Sequence, residues 1–440
     1  MPTLPPEVLC EIFLAVAALY PASARNLGPP AFARVCQQWR DVAFGFPLLW
    51  TTVNLYVDIE DTCFSLDEIE PYILLSAQLP LHVRLVGLSD EMTGEYPPGH
   101  DNHDFFVDEL ASEALKRVAA LSAHRWKTLS VTGDLRVFAE QVESPTPLLE
   151  SIEIYPSTWP EGHRGPLPLS FVQHAPLLRT MTLHVGFPTL LLPAWRGQVT
   201  SATYVLHQEM DNALDMIERH LADSDGLETL WIDGTDGDSF SRAFEEHLWD
   251  TVHHMHKLRT LSVSGCATRF LAVLIAPALE SLTVSDDVVS ASDMEFEFDP
   301  LSLMLGLSKR STLQSLHTLT LKNMSPDDGT LGPLYQLLGD LDTLDTLRIV
   351  EDDRIYRNRY LPLLQGGLLE WLTHTPPSPV RLPNLTYLTL RFGRYRCSGA
   401  EDMVQRLLAS RRMGDFSEGI TTIKALTHFT SDMGPEYQIP

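Results

Sequence analysis

Cysteine is scarce and scattered in this chain. Cys10, Cys36, Cys63, Cys266 and Cys397 lie far apart, are odd in number and form no Cys-x-x-Cys or Cys/His spacing. That excludes a disulfide framework and supplies no zinc motif; it is the pattern of a reduced, intracellular protein. Basic residues are short as well: 32 Lys and Arg against 58 Asp and Glu leave a net charge of −26. So acidic a chain repels phosphate backbones and anionic lipid, and neither nucleic acid nor a membrane is an expected partner. No apolar run reaches the roughly 18 residues a membrane span needs. The start, MPTLPPEVLCEIF, has no basic segment, and glutamates break its apolar stretch, unlike a secretory leader. The expected location is the cytoplasm, the nucleus or both.

Catalytic signatures are missing too. There is no GxSxG, no P-loop and no GxGxxG followed by a suitable acid, so neither enzymatic activity nor a cofactor is expected. The segment HLWDTVHHMHK holds His247, His253, His254 and His256. On a helix His253 and His256 share a face while His254 points away, too few convergent ligands for a metal site. His100 and His103, in GHDNHD, sit in an acidic loop and give no stronger signal.

What is present begins with fifty residues of helical pattern. Pro5 and Pro6 suit a first helical turn, and Glu7 complements the positive end of the helix dipole. Val8, Leu9, Ile12, Phe13 and Val16 follow at helical spacing. After a break over Pro21 to Gly28, Pro29 and Pro30 open a second helix with Phe32, Val35, Cys36, Trp39, Val42 and Ala43 on its apolar face. Pro47 opens a last short turn through Leu48, Leu49 and Trp50. Fifty residues bury too little to stand alone, so these helices either form the first layer of a larger core or dock an apolar face on a partner.

The repeating remainder is more regular. An apolar–x–x–apolar–x–apolar pattern recurs ten times, as WKTLSV from Trp126, LESIEI from Leu149, LRTMTL from Leu178, VTSATY from Val199 and LETLWI from Leu227, then LRTLSV from Leu258, LESLTV from Leu279, LHTLTL from Leu316, LDTLRI from Leu344 and LTYLTL from Leu385. The central positions are 21 to 41 residues apart. One such match is weak, because any amphipathic strand produces it; ten in order are the strand signature of an irregular leucine-rich repeat. TTVNLYV near Val53 and PLHVRLV near Val83 read as two earlier, degenerate turns. Helical faces between the strands include Met210, Leu214, Ile217 and Leu221, and Phe240, Phe244, Leu248, Val252 and Met255. The expected fold is α/β: an N-terminal three-helix module over 1–50, a capping region with degenerate repeats and an acidic loop over 51–124, and a solenoid over 125–440 with a parallel concave sheet and convex helices. No linker parts helices from strands, so the helical module should sit rigidly as the N-terminal cap. Asp90 to Asp104 and Asp286 to Asp299 read as acidic, solvated loops, the second also suited to repel or select a partner.

In such strands the leucines point inward and the residues between them point to the concave face. Of the thirty outward positions on ten strands, nineteen are Ser or Thr, which suits an exposed strand and carries little recognition. The exceptions are therefore informative: Glu153, Tyr155 and His184, then Trp231 and Asp233, then Lys322, Arg348, Tyr387 and Arg391. Of these, Tyr155, His184, Trp231, Lys322, Arg348, Tyr387 and Arg391 are the candidate target-binding residues, with Trp231 a hot-spot type. Arg391, Arg394, Arg396, Arg406, Arg411 and Arg412 concentrate positive charge near the C-terminus. Such a cluster either reads an acidic or phosphorylated target or neutralises the acidic body.

The N-terminal segments LPPEVLCEIF, VCQQWRDVAF and PLLW together resemble the F-box. One feature departs from the family pattern: Phe13 and Val35 are 22 positions apart, with YPASARNLGPP set between the helices. The resemblance, to divergent fungal-type F-box proteins with leucine-rich repeats, implies a Skp-type adaptor as partner and through it a cullin. It implies adaptor contacts at Leu4, Pro5, Val8, Leu9, Ile12, Phe13, Val35, Cys36, Trp39 and Leu48, with Trp50 and Val53 packing against the next domain instead. The function implied is substrate recognition for a Skp–cullin–F-box ubiquitin ligase. Alternatives are a non-catalytic scaffold that uses the same helices outside ubiquitylation, and a ligand-sensing receptor of the same build.

Overall fold

The computed structural model describes residues 4–19, 29–56, 66–86, 115–132, 142, 144–155, 174–185, 197–206, 217, 221, 224–234, 252–286, 299–324, 331–351, 362–374, 381–392, 399–412, 424–432 and 437–438. The acidic loops after Asp90 and Asp286, and Met210, Leu214, Phe240, Phe244, Leu248, Arg394 and Arg396, lie outside them. The chain forms two compact units, residues 1–199 and 200–440, so the boundaries expected at 50 and 124 both fall inside the first.

The first unit opens with α1 (Pro6–Leu19), α2 (Pro29–Ala33), α3 (Gln37–Phe44) and a 3-10 turn (Pro47–Trp50). The second expected helix is two helices. Cys36 takes an extended backbone (φ −161°, ψ 173°), which ends α2 and leaves Val35 and Cys36 on the turn before α3. Leu9, Phe13, Phe32, Ala43, Leu49 and Trp50 form a buried cluster. Phe13 stacks on Phe32 at 4.6 Å and lies 5.1 Å from Trp39. The cluster is completed from outside the fifty residues: Tyr72 and Leu75 of α4 (Leu66–Leu75) pack against it, with Tyr72 edge-on to Trp50 at 5.0 Å. Trp50 also donates its indole N–H to Ala43 O at 2.7 Å.

Five parallel strands come next in chain order: β1 (Thr52–Tyr56), β2 (Leu81–Val86), β3 (Trp126–Thr132), β4 (Ser151–Tyr155) and β5 (Thr180–Val185). The two degenerate turns are thus strands β1 and β2, with Val53 opposite Val83. In the second unit β6 (Ser201–Leu206), β7 (Thr229–Gly234), β9 (Thr260–Gly265), β11 (Ser281–Ser285), β12 (Thr318–Lys322), β13 (Thr346–Val350), β14 (Tyr387–Arg391) and β15 (His428–Ser431) are parallel neighbours, and β16 (Tyr437–Gln438) closes the edge antiparallel. All ten predicted repeats therefore carry a strand, and the pattern holds in register: Leu230, Leu261, Leu282, Leu319, Leu347 and Leu388 stand side by side, all buried.

Each repeat enters its strand through the same turn. Leu258 N donates to Met255 O, Leu316 N to Leu313 O and Leu385 N to Leu382 O. The carbonyl one residue beyond that leucine then takes two amides from the next repeat: Glu228 O from Arg259 and Thr260, Glu280 O from His317 and Thr318, Asp345 O from Thr386 and Tyr387. This pairing locks the register, and the large inward apolar side chains of the strands add about 2 kcal/mol apiece of burial.

Three departures from the sequence reading have local causes. β15 escapes the repeat pattern because, after the apolar Leu426 and Phe429, Ser431 stands at its last apolar position, opposite Leu390 of β14. The described end of the segment read as helical, residues 252–255, is not helical: His253–His254 form β8, paired with β10 (Leu274–Ile275), because His253 N donates to Val273 O and Met255 N to Ile275 O. Val252 is exposed, while His253 and Met255 are buried. Third, Arg411 is not a surface cation. It lies in the last turn of the helix Ala400–Arg412, buried, and donates to Leu382 O at 3.0 Å, Arg381 O at 2.7 Å and Leu372 O at 3.2 Å. Burial pushes its pKa down to about 10, which leaves it charged at neutral pH.

Replacing Arg411 by Ala strips donors from three carbonyls and leaves a void; it should lower stability by about 3 kcal/mol, read as a fall in the urea midpoint. Arg406→Ala, on the exposed side of the same helix, should cost no more than about 0.5 kcal/mol. Equal midpoints would refute the strut role.

Candidate functional site

Two surfaces stand out. The first is on the N-terminal helices, where α1 carries two stripes one residue apart. Leu9 and Phe13 are fully buried, whereas Leu4, Val8 and Ile12 are 46%, 42% and 37% exposed. Val35 on the α2–α3 turn and Leu48 on the 3-10 turn are exposed further, at 59% and 51%. Gln38 donates to Leu4 O at 2.8 Å, drawing the start of α1 against the start of α3, beside Val35 and the exposed Cys36. Pro5 is exposed and Trp39 half-buried. Of the ten predicted contact residues, Leu9 and Phe13 therefore support the face from beneath. Phe44, exposed and stacked 5.7 Å from Trp50, belongs to the surface of this module and was missed, since nothing in helical spacing separates it from the buried Ala43.

The second surface is the outward side of the parallel strands. Tyr155 and His184 lie in the first unit, with ring centroids 3.7 Å apart. Beside them Ser130 donates to Glu153 at 3.0 Å. The other five predicted residues lie in the second unit. Trp231 points outward and is 51% exposed, in register with Ser262 of β9 and Thr203 of β6. Asp233 accepts a hydrogen bond from Ser264. Lys322, Val350 and Arg391 occupy one register row across β12, β13 and β14. Arg348 is two residues earlier on β13, between Thr320 and Thr389. Tyr387 stacks on His428 of β15 at 4.5 Å, an aromatic pair invisible while β15 was unrecognised. Of the described C-terminal arginines, Arg391 is on the sheet, Arg406 on a helix surface and Arg411 inside.

Among the described residues no three His, Cys, Asp or Glu side chains sit at metal-ligand spacing. His254 and His256 have ring centroids 5.8 Å apart, while His253 is buried near Phe270. Cys266 is half-buried and donates to Gly234 O at 3.4 Å, and loss of hydration pushes its thiol up to about 12. Cys10 is also raised, by partial burial and then by Glu7 and Glu11. Among the described residues no helix is long and apolar enough to cross a membrane. No family model and no curated protein matches this chain.

These environments predict an order of thiol reactivity. Native protein treated with iodoacetamide at neutral pH should be modified at Cys36 and spared at Cys266 until denaturant is added, as read by peptide mass mapping. Early labelling of Cys266 would contradict its partial burial.

Proposed function

We propose that this protein is a non-catalytic substrate receptor of the F-box type, whose N-terminal helices bind a Skp-type adaptor while its outward strand face holds a target for a cullin-based ubiquitin ligase. The observation that carries the reading is the division along α1. A helix that served only as a core layer would bury Val8 and Ile12 along with Leu9 and Phe13. Here the second stripe is left to solvent together with Val35 and Leu48, and these are residues of the three F-box-like segments. An apolar helical face of this kind docks by the helix-in-groove mode, through anchors at i, i+4 and i+8.

The irregular leucine-rich-repeat character of the rest supports the same reading. Strands in chain order with an outward row rich in hydroxyls offer an extended surface that is not needed for folding. The receptor would act by proximity alone, raising the local concentration of the target beside the ligase.

The adaptor test must spare the core. Leu9→Asp would bury a charge and unfold the module, so loss of binding there would mean little. Val8→Asp and Ile12→Asp change exposed positions. Each should abolish co-purification with a co-expressed Skp-type adaptor while the melting temperature stays within about 2 °C. Bound adaptor should also shield Cys36 from iodoacetamide. Failure of the unaltered chain to retain the adaptor would refute the proposal.

A further inference from the structure

We infer that the outward face of β12–β14 is a docking site for an extended, carboxylate-rich segment of a partner protein. The inference rests on the receptor reading only in calling that partner the target; the site itself is argued from its charge and geometry.

The sequence holds 58 acids and 32 bases, so an outward patch free of acid needs a reason. Strands β11 to β14 present Ser281, Thr283 and Ser285, then Thr318, Thr320 and Lys322, then Thr346, Arg348 and Val350, then Tyr387, Thr389 and Arg391. Lys322, Arg348 and Arg391 are exposed, and no acid stands among the twelve. Of the described acids that flank the rows, two are turned to the fold: Asp432 accepts the Phe392 amide at 3.0 Å, and the buried Glu351 accepts the Leu364 amide at 2.7 Å; the third, the half-buried Asp286, follows β11 and donates its amide to Lys322 O at 3.0 Å. None of the three cations forms an ion pair with a described residue. By contrast, the charged row at the strand entries is internally matched, with Lys127 against Glu150 and Arg259 against Glu280.

Spacing selects the ligand. Strands lie about 4.8 Å apart and rise about 3.3 Å per residue. The Lys322 and Arg391 α-carbons are thus about 10 Å apart, and Arg348 is about 8 Å from each. An extended segment projects side chains to one side every 6–7 Å or so, so separate carboxylates can meet separate cations. A site built for one phosphate commonly adds main-chain amides from a helix start or a nest. Here those amides are committed to the strand ladder. The hydroxyls of Thr320 and Thr389, on either side of Arg348, and the ring pair of Tyr387 and His428 complete a rigid, polar floor with one aromatic edge. Arginine forks suit carboxylates in a bidentate arrangement.

The test titrates the full-length protein into a fluorescently labelled peptide of alternating glutamate and serine, followed by anisotropy. Two comparison peptides replace glutamate with glutamine throughout, one of them also carrying a single phosphoserine. The glutamate peptide should bind at least about tenfold more tightly than either. Arg348→Gln and Arg391→Gln should each weaken it about tenfold with unchanged melting temperature, whereas Lys257→Gln, exposed on a distant turn, should leave it alone. Equal binding of the glutamine peptide, tighter binding of the phosphorylated one, no binding of the glutamate peptide or indifference to both arginine changes would each overturn the inference. Adaptor retention is read separately. A chain that keeps the adaptor and ignores the glutamate peptide refutes this inference alone; one that binds the peptide and never retains the adaptor refutes the receptor reading alone.

Discussion

A helix that stops beside its neighbour leaves carbonyl oxygens with no amide to meet them, and in this protein three arginines, the buried Arg125 and Arg411 and the exposed Arg310, supply missing donors. Arg125 donates to Ile73, Ser76 and Leu79 at the end of α4. Arg310, from the helix Pro300–Ser311, donates to Leu271 in the last turn of the 3-10 helix Cys266–Ala272 and to Leu274 just beyond it. Arg411 does the same after the helix Gly366–Leu372. In each case the arginine comes from the last turn of the next repeat's helical segment. Strands of unequal spacing stack in register when the connections between them also close, and these links tie successive helical connections together. Desolvation lowers the pKa of all three guanidinium groups, but arginine tolerates that without losing its charge, which lysine would not.

Once the interior is closed by leucines and the connections by arginines, the outward strand positions have little folding work left. Ser and Thr occupy most of them because they suit an exposed strand. Exceptions to that background report on something other than folding, provided they are not used internally. Asp233 is used, by Ser264. Tyr155 and His184 are matched to each other. Lys322, Arg348 and Arg391 are matched to no described ion-pair partner, which is why they and not the aromatic pair of the first unit carry the functional argument.

Strands were legible in the sequence because strand register is a short-range signal: every second residue inward, repeated ten times, leaves little ambiguity. That signal failed at β15 because Ser431 stands where the pattern needs its last apolar residue. Connections were less legible. The break at Val35 and Cys36 depends on one extended residue, and β8 depends on hydrogen bonds to β10, about twenty residues away. Burial of individual cations was not legible at all. Arg406 and Arg411 are five residues apart on one helix, yet one faces water and the other faces three carbonyls, and composition treats them alike. The candidate site was readable to the extent that it consists of strand positions, and unreadable where it depended on which arginine a neighbouring loop consumes.

The same logic separates fold from function in the N-terminal helices. Leu9 and Val8 are adjacent and chemically similar, so pattern alone assigns both to a docking surface. Packing divides them. Leu9 joins Phe13, Phe32 and Trp50, and that cluster continues into Tyr72 and Leu75 of α4. The face presented by Leu4, Val8 and Ile12 is therefore oriented by residues beyond the first fifty. Trp50 is the hinge point of that dependence, since it touches Tyr72 on one side and hydrogen-bonds Ala43 on the other. An exposed apolar face whose direction is set by the first strand layer has a fixed attitude within its unit, and that is a property a freely tethered helical tag would lack.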